Sequence, residues 1–255
     1  MRVIFAVVVL GALGCSRGAT TVGVNEAAIE PTSPVPREAT QLVTVITEDW
    51  NAFRGTLRRY ERVREDGWVE IGVPIAVVIG REGYGWGRGL HEGASEAERD
   101  GPTKHEGDGR SPAGVFRIGN AYGYASSIEG ITLPYAPATP ALRCVDDPRS
   151  SHYNEIVSID ETRSDWQSAE HMRRDDELYT ITIVVEHNLD PPTPGAGSCI
   201  FLHVWIDGDT GMSGCTAMPL QSLETLAAWL RPNTATLVAL PATQYKTHQT
   251  AWSLP

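Results

Sequence analysis

The sequence predicts a mainly β protein. Seventeen prolines and twenty-five glycines are spread along 255 residues with few long amphipathic stretches, a pattern that favours short strands and turns over a helical bundle. Three segments dense in β-branched residues and bounded by turn formers read as strands: QLVTVIT (Gln41 to Thr47), PIAVVIG (Pro74 to Gly80) and YTITIVVEH (Tyr179 to His187). The last two have the composition of strands buried on both faces. With 41% hydrophobic residues, a chain of this length can bury one sizeable core, and one catalytic-sized domain with short appendages is the expectation.

Upstream of the first strand, MRVIFAVVVLGALGCS has one positive residue, Arg2, then an apolar run from Val3 to Leu13 and small residues before Cys15. That is the layout of a signal peptide, and the run is too short to span a bilayer stably. Ala12-Leu13-Gly14-Cys15 resembles a lipoprotein processing site, which makes Cys15 a candidate for lipidation. Residues 16–40 include EAAIEPTSPVPREAT, rich in Pro, Thr, Ser, Ala and Glu, and read as a solvated, flexible linker. An exported protein of the periplasm or cell envelope, held to a membrane through a lipid on Cys15, is the localisation this layout implies.

Between the second and third strands, the segment from Gly83 to about Asp160 reads as a long run of turns, carrying KHEGDGRSPAGVFRIG and CVDDPRSSHYNEIV. A loop of that length is unusual without a functional surface. Two helices are predicted. One follows Ser164, with Gln167 completing a capping box and Trp166, Ala169 and Met172 on one face. The other runs from Pro219 to Arg231, with Leu220, Leu223, Leu226 and Leu230 as its stripe and Pro232 ending it.

The net charge of −11 comes without a basic cluster, which argues against a nucleic-acid partner. Histidines 152, 171, 187 and 203 lack the paired spacing of a zinc protease, so no metal and no cofactor are expected. Arg173 to Glu177 reads as a solvated helix end, although an arginine there could meet a substrate carboxylate. Glu106, Asp108 and Arg110 form a charged loop tip that could border a cleft.

The chemistry concentrates in GSCIFLHVWIDGDTGMSGCTAM. Ser198 to Ile206 is strongly β-forming, and Asp207-Gly208 with Gly211 supplies turn residues. An antiparallel reversal centred on Asp209 would set His203 opposite Cys215, with Cβ atoms about 4.5–5.5 Å apart. A thiol beside an imidazole is the arrangement that thiolate nucleophiles need. Gly214 leaves the backbone open to a substrate carbonyl, and the N–H groups of Gly214 and Cys215 could form an oxyanion hole with Ser213 in support. Cys199, on the same strand as His203, would sit about 13 Å from it, too far to be its partner. In an oxidising compartment Cys144 and Cys199 read best as a disulfide, although three pairings among Cys144, Cys199 and Cys215 are open.

Taken in order, KHEGDGRSPAGVFRIG, SAEHMRRDDELY, GSCIFLHVW and SGCTAM resemble the YkuD-type L,D-transpeptidase family, over roughly Gln41 to Pro232. His203 and Cys215 match the family's His-on-a-strand and Gly-Cys positions, and SPAGVF matches its Thr-Pro-x-Gly-x-Phe stretch with Ser111 for Thr. The family's Ser/Thr-His-Gly-Cys reads Met212-Ser213-Gly214-Cys215 here, Ala217 stands where Arg or Asn is usual, and the interval from His203 to Cys215 is short. The resemblance implies a β-sandwich-like catalytic domain over 41–232, with 233–255 a C-terminal tail that could pack on it. It also implies a peptidoglycan-modifying cysteine acyl transferase acting on stem peptides, with Cys215 the nucleophile and His203 the base. Water as acceptor would make it an L,D-carboxypeptidase or amidase. A cell-wall-binding lipoprotein without turnover is the reading from another class.

Overall fold

A computed structural model describes residues 33–64, 67–92 and 100–255. The stretch read as a signal peptide, the lipidation candidate Cys15 and most of the segment read as a linker lie outside the described residues. Among those described, no helix is long and apolar enough to cross a membrane.

The fold is mainly β, as predicted, and is built on one large sheet. Its backbone is β1 (Gln41–Thr47), β2 (Arg54–Arg64), β3 (Gly67–Glu70), β4 (Ile75–Val78), β6 (Ser111–Gly123), β11 (Ile181–Val185), β12 (Phe201–Val204), β13 (Thr216–Met218) and β14 (Ala235–Pro241). The spatial order is β1-β14-β6-β11-β12-β13-β4-β2-β3, and an additional β1–β2 pairing closes the sheet into a barrel-like layer. Short strands β5 (Tyr84–Trp86) and β7 (Tyr135–Pro137) both add to β6. A separate three-stranded sheet, β10-β8-β9, is formed by β8 (Leu142–Val145), β9 (Ile156–Ser158) and β10 (Ala169–His171).

The three predicted strands are β1, β4 and β11, and their apolar residues face the core. Leu42, Val43, Val45, Val77 and Ile183 are all buried in one cluster. Helix α1 (Leu220–Trp229) packs against β11 and β12. Leu223, Leu226 and Leu230 of its predicted stripe are fully buried, while Leu220 is 38% exposed. The helix starts on Pro219, whose fixed φ suits a first turn, and stops where Leu230 turns extended ahead of Pro232.

Four expectations are corrected. Residues 233–255 are not a tail: β14 lies between β1 and β6, all seven of its residues are buried, and α2 (Ala242–His248) follows it. The packed chain also begins upstream of Gln41. Val35 and Ala39 are buried in the main core, and the Ser33 hydroxyl donates to the Trp252 carbonyl at 2.7 Å.

The segment from Gly83 to Asp160 is no continuous loop either, because SPAGVFRIGNAYG forms β6, a thirteen-residue central strand. Its Gly114 has φ 137°, and a Cβ there would meet the His91 ring at 2.0 Å. What reads as a turn former is thus a close packing of strand on imidazole. Finally, the predicted helix after Ser164 is absent. Ala169–His171 is strand β10 instead, pairing antiparallel with β8, and tertiary pairing outweighs the weak helical periodicity.

Candidate active site

Strand β12 carries His203 and Cys215 lies just before β13, but not in the predicted geometry. The two strands run parallel, with Leu202 opposite Thr216, His203 opposite Ala217 and Val204 opposite Met218. The intervening loop does not turn back as a hairpin. It crosses the end of β4, where Arg81 N donates to the Met212 carbonyl at 2.7 Å and Met212 N to the Ile79 carbonyl at 2.8 Å, and β13 then enters between β12 and β4.

The parallel register still brings the two residues to one place. Cys215 lies two positions before Ala217, on the same face of the sheet by the two-residue strand period. His203 and Cys215 both line a cavity of about 210 Å³ whose other lining residues include Glu170, Arg174, Tyr179 and Ser213.

Both side chains are buried in a cavity whose wall mixes charged and apolar residues. The Cys215 sulfur accepts from the Phe201 N–H at 3.3 Å and donates to the Cys199 carbonyl at 3.5 Å. Burial pushes its thiol well up, and the Glu170 carboxyl adds to that; Phe201 N–H, Lys104 and Arg174 act the other way. Burial moves His203 down to about 4. Its Nδ1 lies 2.7 Å from the Val204 carbonyl, which can only accept, so Nδ1 carries the proton and Nε2 the lone pair. The resting pair is a neutral thiol and a neutral imidazole. Tyr179 packs edge-on against the His203 ring, with centroids 5.2 Å apart.

Cys144 and Cys199 form the disulfide, leaving Cys215 as the free cysteine of the described chain. Cys199 is not on a regular strand, as the 13 Å argument assumed. Its φ is 54°, its N–H is held by Asn154 Oδ1 at 2.8 Å, and its carbonyl faces the Cys215 thiol. The disulfide therefore fixes the residue whose carbonyl accepts the thiol's hydrogen bond.

Behind the thiol, the KHEGDGRS loop forms a mount. Ser111 Oγ accepts from the Gly80 N–H at 2.9 Å and lies 2.6 Å from the Gly214 carbonyl and 3.1 Å from that of Cys215. The Gly214–Cys215 peptide is trans, so its N–H points opposite to the carbonyl that Ser111 holds. A Cβ on Gly214 would meet the Arg110 carbonyl at 3.2 Å and Lys104 Nζ at 3.9 Å. Lys104 is itself buried, donating at 2.6 Å to the His105 carbonyl and to Asp108 Oδ1.

The charged loop tip thus supports the site without lining the cavity. Asp108 anchors Lys104, Glu106 accepts from Tyr153 and Ser198 hydroxyls, and Arg110 binds the Trp50 and Tyr84 carbonyls. Ser213 is exposed on the cavity rim, and Ala217 is buried inside β13, so a long polar side chain there would have to displace core atoms.

His152, His171 and His187 do not line this cavity. His152 pairs with Glu155 at 2.8 Å, and His171 is exposed on β10. His187 is buried between the Arg88 N–H and the Ala196 carbonyl. Glu170 and Tyr179 were not predicted as site residues. Glu170 sits in a segment with helical spacing, and only its pairing with β8 turns it toward the thiol.

The β layer presents a free, buried thiol and an imidazole to one cavity. The family model for the L,D-transpeptidase catalytic domain, YkuD, matches residues 56–239, and the chain belongs to that family. Among solved structures, "Structure of Bdellovibrio bacteriovorus Bd1075" is similar at 11% identity and a TM-score of 0.40, covering 88% of this chain. This chain spans 58% of that one. No curated protein matches significantly.

Proposed function

We propose that this L,D-transpeptidase-family domain is a peptidoglycan-modifying acyl transferase that uses Cys215 as nucleophile and His203 as base. The observation that carries the reading is that the free thiol and an imidazole with its lone pair on Nε2 line one cavity.

In this reading His203 Nε2 takes the Cys215 proton as sulfur attacks the carbonyl joining an L-centre to a terminal D-residue. The N–H of Cys215, with that of Gly214, stabilises the oxyanion. The C–N bond breaks as His203 returns the proton to the leaving amine, and a thioester remains on Cys215. An amine from a second stem peptide, or water, then attacks the thioester, gives its proton to His203 and restores the thiol. The amine outcome is transpeptidation and the water outcome carboxypeptidation. Because the resting thiol is neutral, proton transfer to His203 accompanies attack instead of preceding it.

The protein is taken to be exported and tethered near peptidoglycan through Cys15, a reading supported by the leader-like start and the linker composition. Incubating the protein with tetrapeptide-bearing muropeptides tests the proposal. Release of D-alanine with crosslinked dimers marks a transpeptidase and release with tripeptides a hydrolase. No product with the thiol reduced contradicts both.

A further inference from the structure

Lys104 leaves only 3% of its side chain exposed, an unusual place for an ammonium group. Its path is cut out by glycines. A Cβ on Gly85 would meet the Lys104 backbone N at 2.9 Å, and one on Gly197 would meet its Cε at 2.9 Å and its Cγ at 3.2 Å. A Cβ on Gly214 would lie 3.9 Å from Nζ. Backbone, stem and head each run against a residue without a side chain, and the head ends beside the residue that precedes the thiol. Lys104 does not line the cavity that holds Cys215, so its charge acts from outside that cavity, past the Gly214–Cys215 peptide. The ammonium is held by the His105 carbonyl and Asp108 Oδ1, each at 2.6 Å. Asp108 is fixed in turn by the N–H groups of His105 at 2.7 Å and Arg110 at 2.9 Å. Burying such a pair costs desolvation of both ions, which apolar side chains of the same size would not. Packing alone gives no reason for a lysine here.

We propose that Lys104 is a positioning residue for acyl transfer: its buried ammonium, set against Gly214, stabilises the negative charge that develops on the Cys215 sulfur during attack, and Asp108 attenuates that effect. This rests on the acyl-transfer reading above. No proton passes through Lys104, and His203 still takes the one on the thiol. The charged and titratable groups facing Cys215 are Glu170, Lys104, Arg174 and Tyr179, with His203 in the same cavity. Burial, and after it Glu170, opposes ionisation of the thiol; the Phe201 N–H, Lys104 and Arg174 favour it. Salt and water screen a buried charge far less than one on the surface, so the lysine works at close to full strength on a neighbour it does not touch.

The test measures alkylation of Cys215 by iodoacetamide, a neutral reagent, at pH 8, together with turnover of a soluble tetrapeptide. Lys104→Met keeps most of the stem and removes the charge. Its Cys215 is expected to alkylate about tenfold more slowly, the equivalent of one pKa unit, and its kcat to fall by a similar factor with KM unchanged. Asp108→Asn keeps an oxygen for the ammonium and removes the opposing charge, so its Cys215 is expected to alkylate about threefold faster than the wild type. Both substitutions break the same ion pair and loosen the same loop, so a merely structural pair would move the two rates in one direction. Alkylation of folded Lys104→Met within about twofold of the wild type overturns the inference. So does an Asp108→Asn protein that fails to exceed the wild type, and that comparison decides even if the lysine variant does not fold. Failure of every tetrapeptide to acylate Cys215 removes the acyl-transfer reading, while the alkylation rates still decide whether Lys104 acts on the thiol.

Discussion

Cys215 and His203 line one cavity through a register that their residue types alone do not reveal. The sequence singles out this cysteine and this histidine because a Gly-Cys follows a β-forming run that carries the imidazole. The antiparallel hairpin was not, because Asp207-Gly208 and Gly211 suit a tight reversal and a crossing loop equally well. Glu170 was illegible as a cavity residue, since its position depends on β10 pairing with β8, whereas an arginine of the 173–177 run reads as able to meet a substrate carboxylate and Arg174 does line the cavity.

The charge states lead to a prediction at this scale. A neutral thiol gains reactivity only as it ionises, so alkylation of Cys215 by iodoacetamide should rise close to tenfold per pH unit from pH 7 to 9. A rate already at its plateau at pH 6 would instead indicate a preformed thiolate–imidazolium pair. Replacing His203 by Gln is expected to lower kcat/KM by about 10²–10⁴, the usual worth of a general base, with thermal stability measured alongside to separate catalysis from folding.

At the scale of elements, the mount behind the thiol is formed by the start of β6 and the loop before it. Ser111 is the hinge of that mount, joining β4, through Gly80, to the Gly214–Cys215 peptide. Ser111→Ala would leave a buried N–H and two carbonyls without the hydroxyl, at a cost of about 1–3 kcal/mol. Urea unfolding should show that loss, and Ser111→Thr should recover most of it.

The Cys144–Cys199 bond closes a loop with a sequence separation of 55 and ties β8 to the segment entering β12. Removing both sulfurs as Cys144→Ser and Cys199→Ser is expected to cost about 2–4 kcal/mol and to loosen the Cys199 carbonyl, lowering activity beyond the loss of folded protein. The sequence favoured this pairing without choosing it, because three cysteines allow three bridges and only the fold decides which sulfurs meet. Element types were readable where β-branched density was high, as in β1, β4 and β11. They failed where pairing overrode local preference, as in β6 with its Pro112 and Gly114, and in β10.

For the whole molecule, the closed sheet and the buried imidazoles set the response to acid. His187 and His203 are both held near 4 against an unfolded value of 6.5, chiefly by burial. The unfolded chain therefore binds protons that the folded protein refuses. Stability is complete above pH 6.5 and falls as pH drops from there toward 4, by on the order of 3 kcal/mol for each histidine. Glu170, raised by burial, offsets a part of this by favouring the protonated folded state. Asp147 and Asp165, held down at about 2 by hydrogen bonds led by Arg149 and Ser150, add their losses only below pH 4. Urea midpoints at pH 7.5, 5.5 and 4.5 should decline in that order; equal midpoints would contradict the buried neutral histidines. That one domain of β class would form was readable from turn density and length. That its last strand would be central was not, because a short apolar run after a helix carries no mark of where it inserts.

The central claim, that Cys215 carries the acyl group, is tested most directly by intact-mass analysis of the protein quenched in acid during turnover of a tetrapeptide substrate, followed by peptide mapping. The account predicts a mass increase equal to the acyl fragment, localised to Cys215 and absent from Cys215→Ala, which should also be inactive. A Cys215→Ala protein that keeps full activity, or an adduct on any other residue, would contradict it.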